Sequence, residues 1–355
     1  MIFYFLIFLY PVIAYFFLSN QGRHVDNLAF TFFGFILIIF IGLRYKVGGD
    51  WEVYEHISTF YRGVEGLSFG DLFQVKYLTG DFGYILFNWI GFNFGYGVTT
   101  TNLLVAIVFV VTLFKFANYT QNRWLALIVS VPYMITVVSM GYTRQSAALG
   151  LVMVAYILIN KNKLFYFFFT ILIAGLFHTS ALIIGLLGIL IRFDKNGSFF
   201  KKLFFVIVLS ILAMYFSNYI SSRILHYISN PHTTSSGAIY RLFLSLVAVI
   251  IFFYFKKDFA QKFNDASFWN LFSWLIILSL FFVFNLSVVV DRLAVYALPI
   301  QMIVFSRLPL LIEDINLRLF SVFSVILLYF LVHFVWLYFG IHVVYWLPYK
   351  NFLFI

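Results

Sequence analysis

Apolar stretches of about 15 to 20 residues, separated by short polar connections, recur from one end of the chain to the other. Each is long enough to cross roughly 30 Å of hydrocarbon as a helix. Hydrocarbon offers no partner for backbone N–H and C=O groups, so only helices and closed barrels can span it. Barrel strands alternate polar and apolar residues; runs such as FYFFFTILIAG, residues 165–175, do not. With 63% hydrophobic and only 10% charged residues, the chain could not cover a water-facing surface of this size either. The fold class is therefore an all-α polytopic membrane protein. Its first segment, MIFYFLIFLYPVIAYFFLSN, has neither a basic leading region nor a small-residue cleavage site, and is expected to be retained as a helix.

The pattern predicts about twelve crossings, over residues 2–18, 28–43, 99–116, 124–140, 144–160, 164–178, 180–192, 203–220, 239–255, 267–285, 292–308 and 318–338. The seventh is short and reads as tilted or re-entrant. Residues 1–355 are expected to form a single transmembrane domain. An extracytoplasmic loop with interfacial helices is expected over 44–98, and a second outer loop over 221–238. If the loops alternate between two sides, 14 of the 23 Lys and Arg fall on one side and 9 on the other. The richer set lies in short loops, where excess cations mark the cytoplasmic side. Both termini are then expected outside.

The two sets also differ in kind. The cytoplasmic set has 9 Lys and 5 Arg, the outer set 3 Lys and 6 Arg. Lys suffices for orientation, whereas Arg offers a planar fork for phosphate or carboxylate. Arg144, Arg241 and Arg292 lie in GYTRQSAALG, AIYRLFLSL and VVVDRLAVYALP, each expected near the first turn of a helix entering from outside. A cation there is disfavoured by about 0.3–1 kcal/mol, unless an anion lies between it and the helix N-terminus. Asp291 is the candidate internal partner for Arg292. The competing reading is that these arginines reach to lipid headgroups. His178, in AGLFHTSALII, is expected at the outer end of the sixth helix. A lone buried imidazole is commonly a hydrogen-bonded core residue, but an ionisable group at membrane depth is also a candidate general base. His226 and His232 read as ordinary loop residues.

The stretch GLRYKVGGDWEVYEHIS, residues 42–58, sets Arg44, Lys46, Asp50 and Glu52 around Gly48 and Gly49 at the mouth of an apolar segment. Residues 44–98 hold most of the outer acids, interleaved with aromatic residues such as Trp51 and Tyr54. Carboxylates beside aromatic rings suit sugars, whose hydroxyls bond to the acids while their C–H faces stack on the rings. An interfacial helix with Trp and Tyr at headgroup level explains the aromatic residues equally well. The absence of cysteine excludes disulfides and thiolate chemistry. The net charge of +10 is scattered between apolar runs rather than clustered, which argues against nucleic acid as a partner. No Walker loop, Rossmann glycine pattern, HExxH or G-x-S-x-G occurs. No metal site and no cofactor are expected.

Residues 43–54, LRYKVGGDWEVY, resemble the signature after the second helix of the EpsG family, bacterial membrane proteins grouped with Wzy-type O-antigen and exopolysaccharide polymerases. The Arg144–Gln145 pair opening a helix, His178 followed by Thr-Ser-Ala, and the segment from Arg292 to Tyr296 are similar to that family too. The resemblance implies a glycosyltransferase of the bacterial cytoplasmic membrane, with its active site facing the periplasm or exterior. There it would transfer a glycan from undecaprenyl diphosphate onto a lipid-linked repeat unit. Its partners would be undecaprenyl-diphosphate-linked oligosaccharides and the bilayer, with room for a separate chain-length regulator. On that reading Arg44, Arg144, Arg241 and Arg292 hold diphosphate, while Tyr54, Gln145 and Tyr296 orient phosphate or sugar. His178 or Asp50 deprotonates the acceptor hydroxyl. Competing readings are a glycan ligase using the same donor and a flippase or other transporter. A transporter would favour charges deep within helices over charges crowding one mouth.

Overall fold

The computed structural model describes residues 1–19, 21–52, 68–73, 82–192, 237–283 and 287–355. Among these the regular structure is helical. Fourteen α-helices are labelled here in chain order: α1 Ile2–Ile13, α2 Arg23–Gly42, α3 Phe82–Phe94, α4 Val98–Tyr119, α5 Arg123–Ser130, α6 Thr143–Asn160 and α7 Leu164–Phe177. There follow α8 Ile184–Arg192, α9 Gly237–Tyr254, α10 Lys256–Lys262, α11 Ala266–Leu280, α12 Ser287–Ala297, α13 Pro299–Leu311 and α14 Ile315–Phe339. A π-helical stretch, Val131–Val138, continues α5 as far as Gly141. Five helical stretches are long and apolar enough to cross a membrane: Arg23–Gly42, Val98–Tyr119, Arg123–Gly141, Ser287–Leu311 and Ile315–Phe339. Shorter apolar helices accompany them. The crossing expected over 203–220 and most of the loop expected over 221–238 lie outside the described residues.

Helix α3 falls inside the stretch 44–98 that the sequence assigned to an outer loop with interfacial helices. It packs against α4 and α7: Asn88 meets Thr101 at 3.4 Å, and Gly83 lies against the carbonyl of Leu176. Part of that stretch is thus a wall of the bundle. At the centre stands α6, whose buried residues run from Thr143 and Gln145 through Gly150 to Ile159 and face every direction around the helix. Small residues allow this closeness. A Cβ on Gly150 would lie 2.2 Å from Thr112 Oγ1 and 3.3 Å from Phe109 Cα, so glycine sets the approach of α4 to α6. By contrast α14 turns Phe320, Leu327 and Val335 outward, as a helix facing lipid does.

At the end of the bundle where α4 finishes, Arg307 of α13 is 1% exposed. Its Nη1 and Nη2 donate to the two carboxylate oxygens of Asp265 at 2.7 and 2.9 Å, and its Nε donates to Gln121 Oε1 at 2.7 Å. Tyr119 OH and Trp269 Nε1 also donate to Asp265. A cation that the sequence counted only for orientation therefore joins three helix ends. Burial by itself would raise the Asp265 carboxyl, but the hydrogen bonds and charge of Arg307, with the Tyr119 and Trp269 donors, together outweigh it and hold it below the usual carboxylate range. A carboxyl lowered by folding stabilises the fold above its unfolded value, and that stability is lost as pH falls through the folded one. The thermal midpoint in detergent is expected to stay level around neutral pH and to fall only below about pH 4. Asp265→Asn should shrink this acid-side fall.

Candidate active site

The opposite end of the bundle is organised by four consecutive residues. The helix α5 and its π-helical continuation stop at Gly141, Tyr142 leaves helical geometry at φ −123° and ψ 66°, and α6 starts at Thr143. Tyr142, Thr143, Arg144 and Gln145 are thereby set at one corner. Each of the first two and the last binds a different part of the fold.

Thr143 Oγ1 accepts a hydrogen bond from Arg44 Nη2 at 2.8 Å, and Asn102 Oδ1 lies 3.4 Å from the same nitrogen. Arg44 also donates from Nη1 to Ile41 O at 2.6 Å and from Nε to Val47 O at 3.1 Å. It is 1% exposed. A cation suits the negative end of α2 and satisfies one of its last carbonyls. The expected phosphate ligand Arg44 is thus engaged as a cap that ties the turn after α2 to α4 and α6.

That turn is held from above by the C-terminal segment. Arg44 and Asn351 form an antiparallel bridge, and Gly48 N donates to Tyr345 O at 2.8 Å. Gly48 has φ +114°, and a Cβ there would stand 2.1 Å from Met140 O, so no other residue fits without moving the helical turn Ser139–Gly141. Trp346 packs on Gly141 and donates from Nε1 to Thr136 O at 2.9 Å. Asp50 follows this turn and is half-buried; Tyr54 lies outside the described residues.

Tyr142 OH accepts from Arg241 Nη2 at 3.1 Å, and the guanidinium sits 5.2 Å from the tyrosine ring centre. The main partner of Arg241 is Asp291, at 2.6 Å from Nη1. This corrects the expected Asp291–Arg292 pair. Consecutive helical residues do not face each other, so Asp291 of α12 turns towards α9. Arg241 and Arg292 also sit in the second turns of α9 and α12 rather than the first. With Asp291 beside it, Arg241 needs no external anion to account for its burial.

Gln145 Nε2 donates to the carbonyl of Arg292 at 2.8 Å, which sets α12 against the start of α6. One turn further along α12, Tyr296 is fully buried. Its carbonyl accepts from Tyr156 OH at 2.9 Å, and its hydroxyl lies 3.1 Å from Ser180 Oγ. Ser180 Oγ in turn lies 2.5 Å from His178 Nδ1. His178 sits where α7 ends, with extended backbone at φ −156° and ψ 116°. Its ring therefore enters a polar chain rather than the apolar core.

The candidates named from the sequence thus meet around two short segments, 142–145 and 291–296. Arg144 and Arg292 are both half-buried there. Asp50 follows the Gly48 turn, which packs on Met140 beside this corner. Sequence reasoning missed Asn102, Tyr142, Thr143 and Ser180 and gave Asp291 the wrong partner. Tyr142 and Thr143 flank Arg144, and Ser180 follows His178, so each stood beside a signal but carried none of its own. Among the described residues no group of three or more His, Asp or Glu is gathered as a metal site would need.

The model of the EpsG family matches residues 27–351, nearly the whole chain. The chain belongs to the EpsG family. Family members are Wzy-type polymerases, so this EpsG-family protein is an integral membrane polysaccharide polymerase of glycosyltransferase type, acting on lipid-linked oligosaccharides. No curated protein and no solved structure matches it.

Proposed function

We propose that the protein transfers an undecaprenyl-diphosphate-linked glycan onto the non-reducing end of a lipid-linked repeat unit, at the extracytoplasmic face of the bacterial cytoplasmic membrane. The observation that carries this reading is the convergence of Arg144, Arg241 and Arg292 from three helices on one corner, with Gln145 locking α12 to α6. In this reading Arg144 and Arg292 bind the diphosphate. Arg44, bound to Thr143 and Asn102, and Arg241, bound to Asp291 and Tyr142, hold the walls in which those two stand. Gln145 acts through its bond to the Arg292 carbonyl, Tyr296 through Ser180, and Asp50 borders the sugar; Tyr54, also assigned to phosphate or sugar, lies outside the described residues.

The acceptor hydroxyl attacks the anomeric carbon, the bond from that carbon to the diphosphate oxygen breaks, and the diphosphate leaves with the electron pair. His178 or Asp50 takes the hydroxyl proton. Negative charge grows on the departing diphosphate, and cations fixed in advance at a site poor in water stabilise it. An apolar cavity of about 430 Å³ opens between α1 and α2 beneath Tyr349 and Asn351; it borders the site through the Arg44–Asn351 bridge and offers a surface for a lipid chain.

The test is reconstitution in vesicles with purified lipid-linked repeat units as sole substrate. A ladder of products lengthened one repeat at a time, unchanged by a chelator, is the expected result. Transfer to another acceptor without lengthening would mark a ligase, and movement of unreacted substrate across the vesicle would mark a flippase.

A further inference from the structure

The polar chain His178–Ser180–Tyr296 is longer than a histidine in a helix bundle needs. One backbone carbonyl would satisfy the N–H of an imidazole. Here the ring meets a serine that is 4% exposed, and that serine meets a tyrosine that is fully buried. The tyrosine is held in turn by Tyr156 through its carbonyl. A serine hydroxyl carries one proton, so it donates to one neighbour and accepts from the other. Two arrangements result. If Tyr296 donates to Ser180 and Ser180 to Nδ1, the imidazole proton lies on Nε2 and the ring offers only a donor there. If Nδ1–H donates to Ser180 and Ser180 donates to Tyr296, Nε2 carries a lone pair and the ring is a base.

We infer that Ser180 and Tyr296 are positioning residues that hold His178 in the Nδ1–H tautomer, so that Nε2 removes the proton of the acceptor hydroxyl. The inference rests on the polymerase reading and chooses His178 over Asp50 within it. With Nδ1 committed to Ser180 at 2.5 Å, any proton exchange by the ring runs through Nε2. The location fits. Tyr296 and Arg292 are four residues apart on α12, neighbours on one helix face at about 5–6 Å between their Cβ atoms, so the chain ends one turn from a proposed diphosphate ligand. When Nε2 takes the proton, the ring becomes an imidazolium whose Nδ1–H still points at the Ser180 oxygen. That oxygen is polarised by its own donation to Tyr296, in the role a carboxylate fills in a serine–histidine–aspartate triad. Among the described residues, the other titratable groups at this end of the elements packed around the turn are Arg144 and Tyr156 on α6, Asp291 and Arg292 on α12, and Tyr84 on α3. None of these stands between His178 and Ser180.

The experiment is the pH dependence of elongation by the reconstituted full chain, for wild type, Ser180→Ala, Ser180→Thr, Tyr296→Phe and His178→Gln, each first checked for an unchanged thermal midpoint. General-base catalysis contributes about 10²–10⁴-fold, and His178→Gln is expected to lose that much. Ser180→Ala should lose about tenfold or more in turnover with the donor KM unmoved. The acid limb of its profile should shift to lower pH, because the imidazolium loses its acceptor. Tyr296→Phe should shift the limb in the same direction by less, and Ser180→Thr, which keeps the hydroxyl, should restore it. Hydroxyls with a purely structural task would lower activity or stability and leave the limb where it was; that outcome overturns the inference while the polymerase stands. A wild type that lengthens nothing overturns both.

Discussion

Arg144→Ala and Arg292→Ala will each stop elongation while leaving the protein folded. Losing one preorganised donor to a developing oxyanion costs about 10²–10³-fold in turnover, and both residues stand half-buried at the corner where α6 and α12 meet. Neither side chain takes part in the hydrogen bonds of Arg44 or Arg241 described above. Arg44 keeps Thr143 and Asn102, and Arg241 keeps Asp291 and Tyr142. Fold and activity should therefore separate, with a near-normal thermal midpoint and no ladder of products. Arg144→Lys and Arg292→Lys keep the charge but not the planar fork. Their failure to restore full-length product would point to paired contacts with the phosphate oxygens rather than to charge alone. Polymer of normal length from both alanine variants would end the diphosphate assignment.

Arg307→Ala is expected to have the opposite signature, a large loss of stability from the far end of the molecule. Breaking a buried ion pair on one side costs about 3–5 kcal/mol, because a charge is left without compensation. Here the carboxylate of Asp265 would retain only the Tyr119 and Trp269 donors. The double variant Arg307→Met with Asp265→Leu removes both charges and should recover much of that loss, as apolar replacements of buried pairs often do. Equilibrium unfolding in mixed micelles would measure both. Along α4, Asn102 and Tyr119 are separated by about 26 Å at 1.5 Å per residue, so the folded fraction of the double variant should still lengthen chains. An Arg307→Ala protein as stable as wild type would show that the pair contributes nothing net.

Much of the architecture was legible before any coordinates. The apolar runs named helices that the structure has within a few residues: the run read as 99–116 is Val98–Tyr119, and 318–338 is Ile315–Phe339. Spanning segments are legible because hydrocarbon imposes one demand, internal pairing of every backbone group, at every position along them. Helix α3 lies inside the stretch read as an outer loop with interfacial helices; its thirteen residues with Asn88, Trp89 and Asn93 carry no signal for its packing on α4 and α7, which the tertiary structure supplies. The site was half legible. Arg144, Gln145, Arg292 and His178 were named because an ionisable or polar group at the mouth of an apolar run is conspicuous. The partners of Arg44, Arg241 and His178 were not, since Thr143, Tyr142 and Ser180 are unremarkable in sequence and become polar anchors only when the fold brings those side chains to them.

By itself the sequence determined that this chain lives in a membrane as helices, and where its polar chemistry is concentrated, because both follow from local composition against the fixed thickness and dryness of a bilayer. Only the tertiary structure decided how the arginines divide. Arg44 is consumed as a helix cap, Arg241 is neutralised by an aspartate on another helix, and Arg307 is buried in a bidentate pair. The reason is geometric: a guanidinium and its partner must meet within about 3 Å, and residues 42 to 99 positions apart are brought that close only by the packing of the helices that carry them.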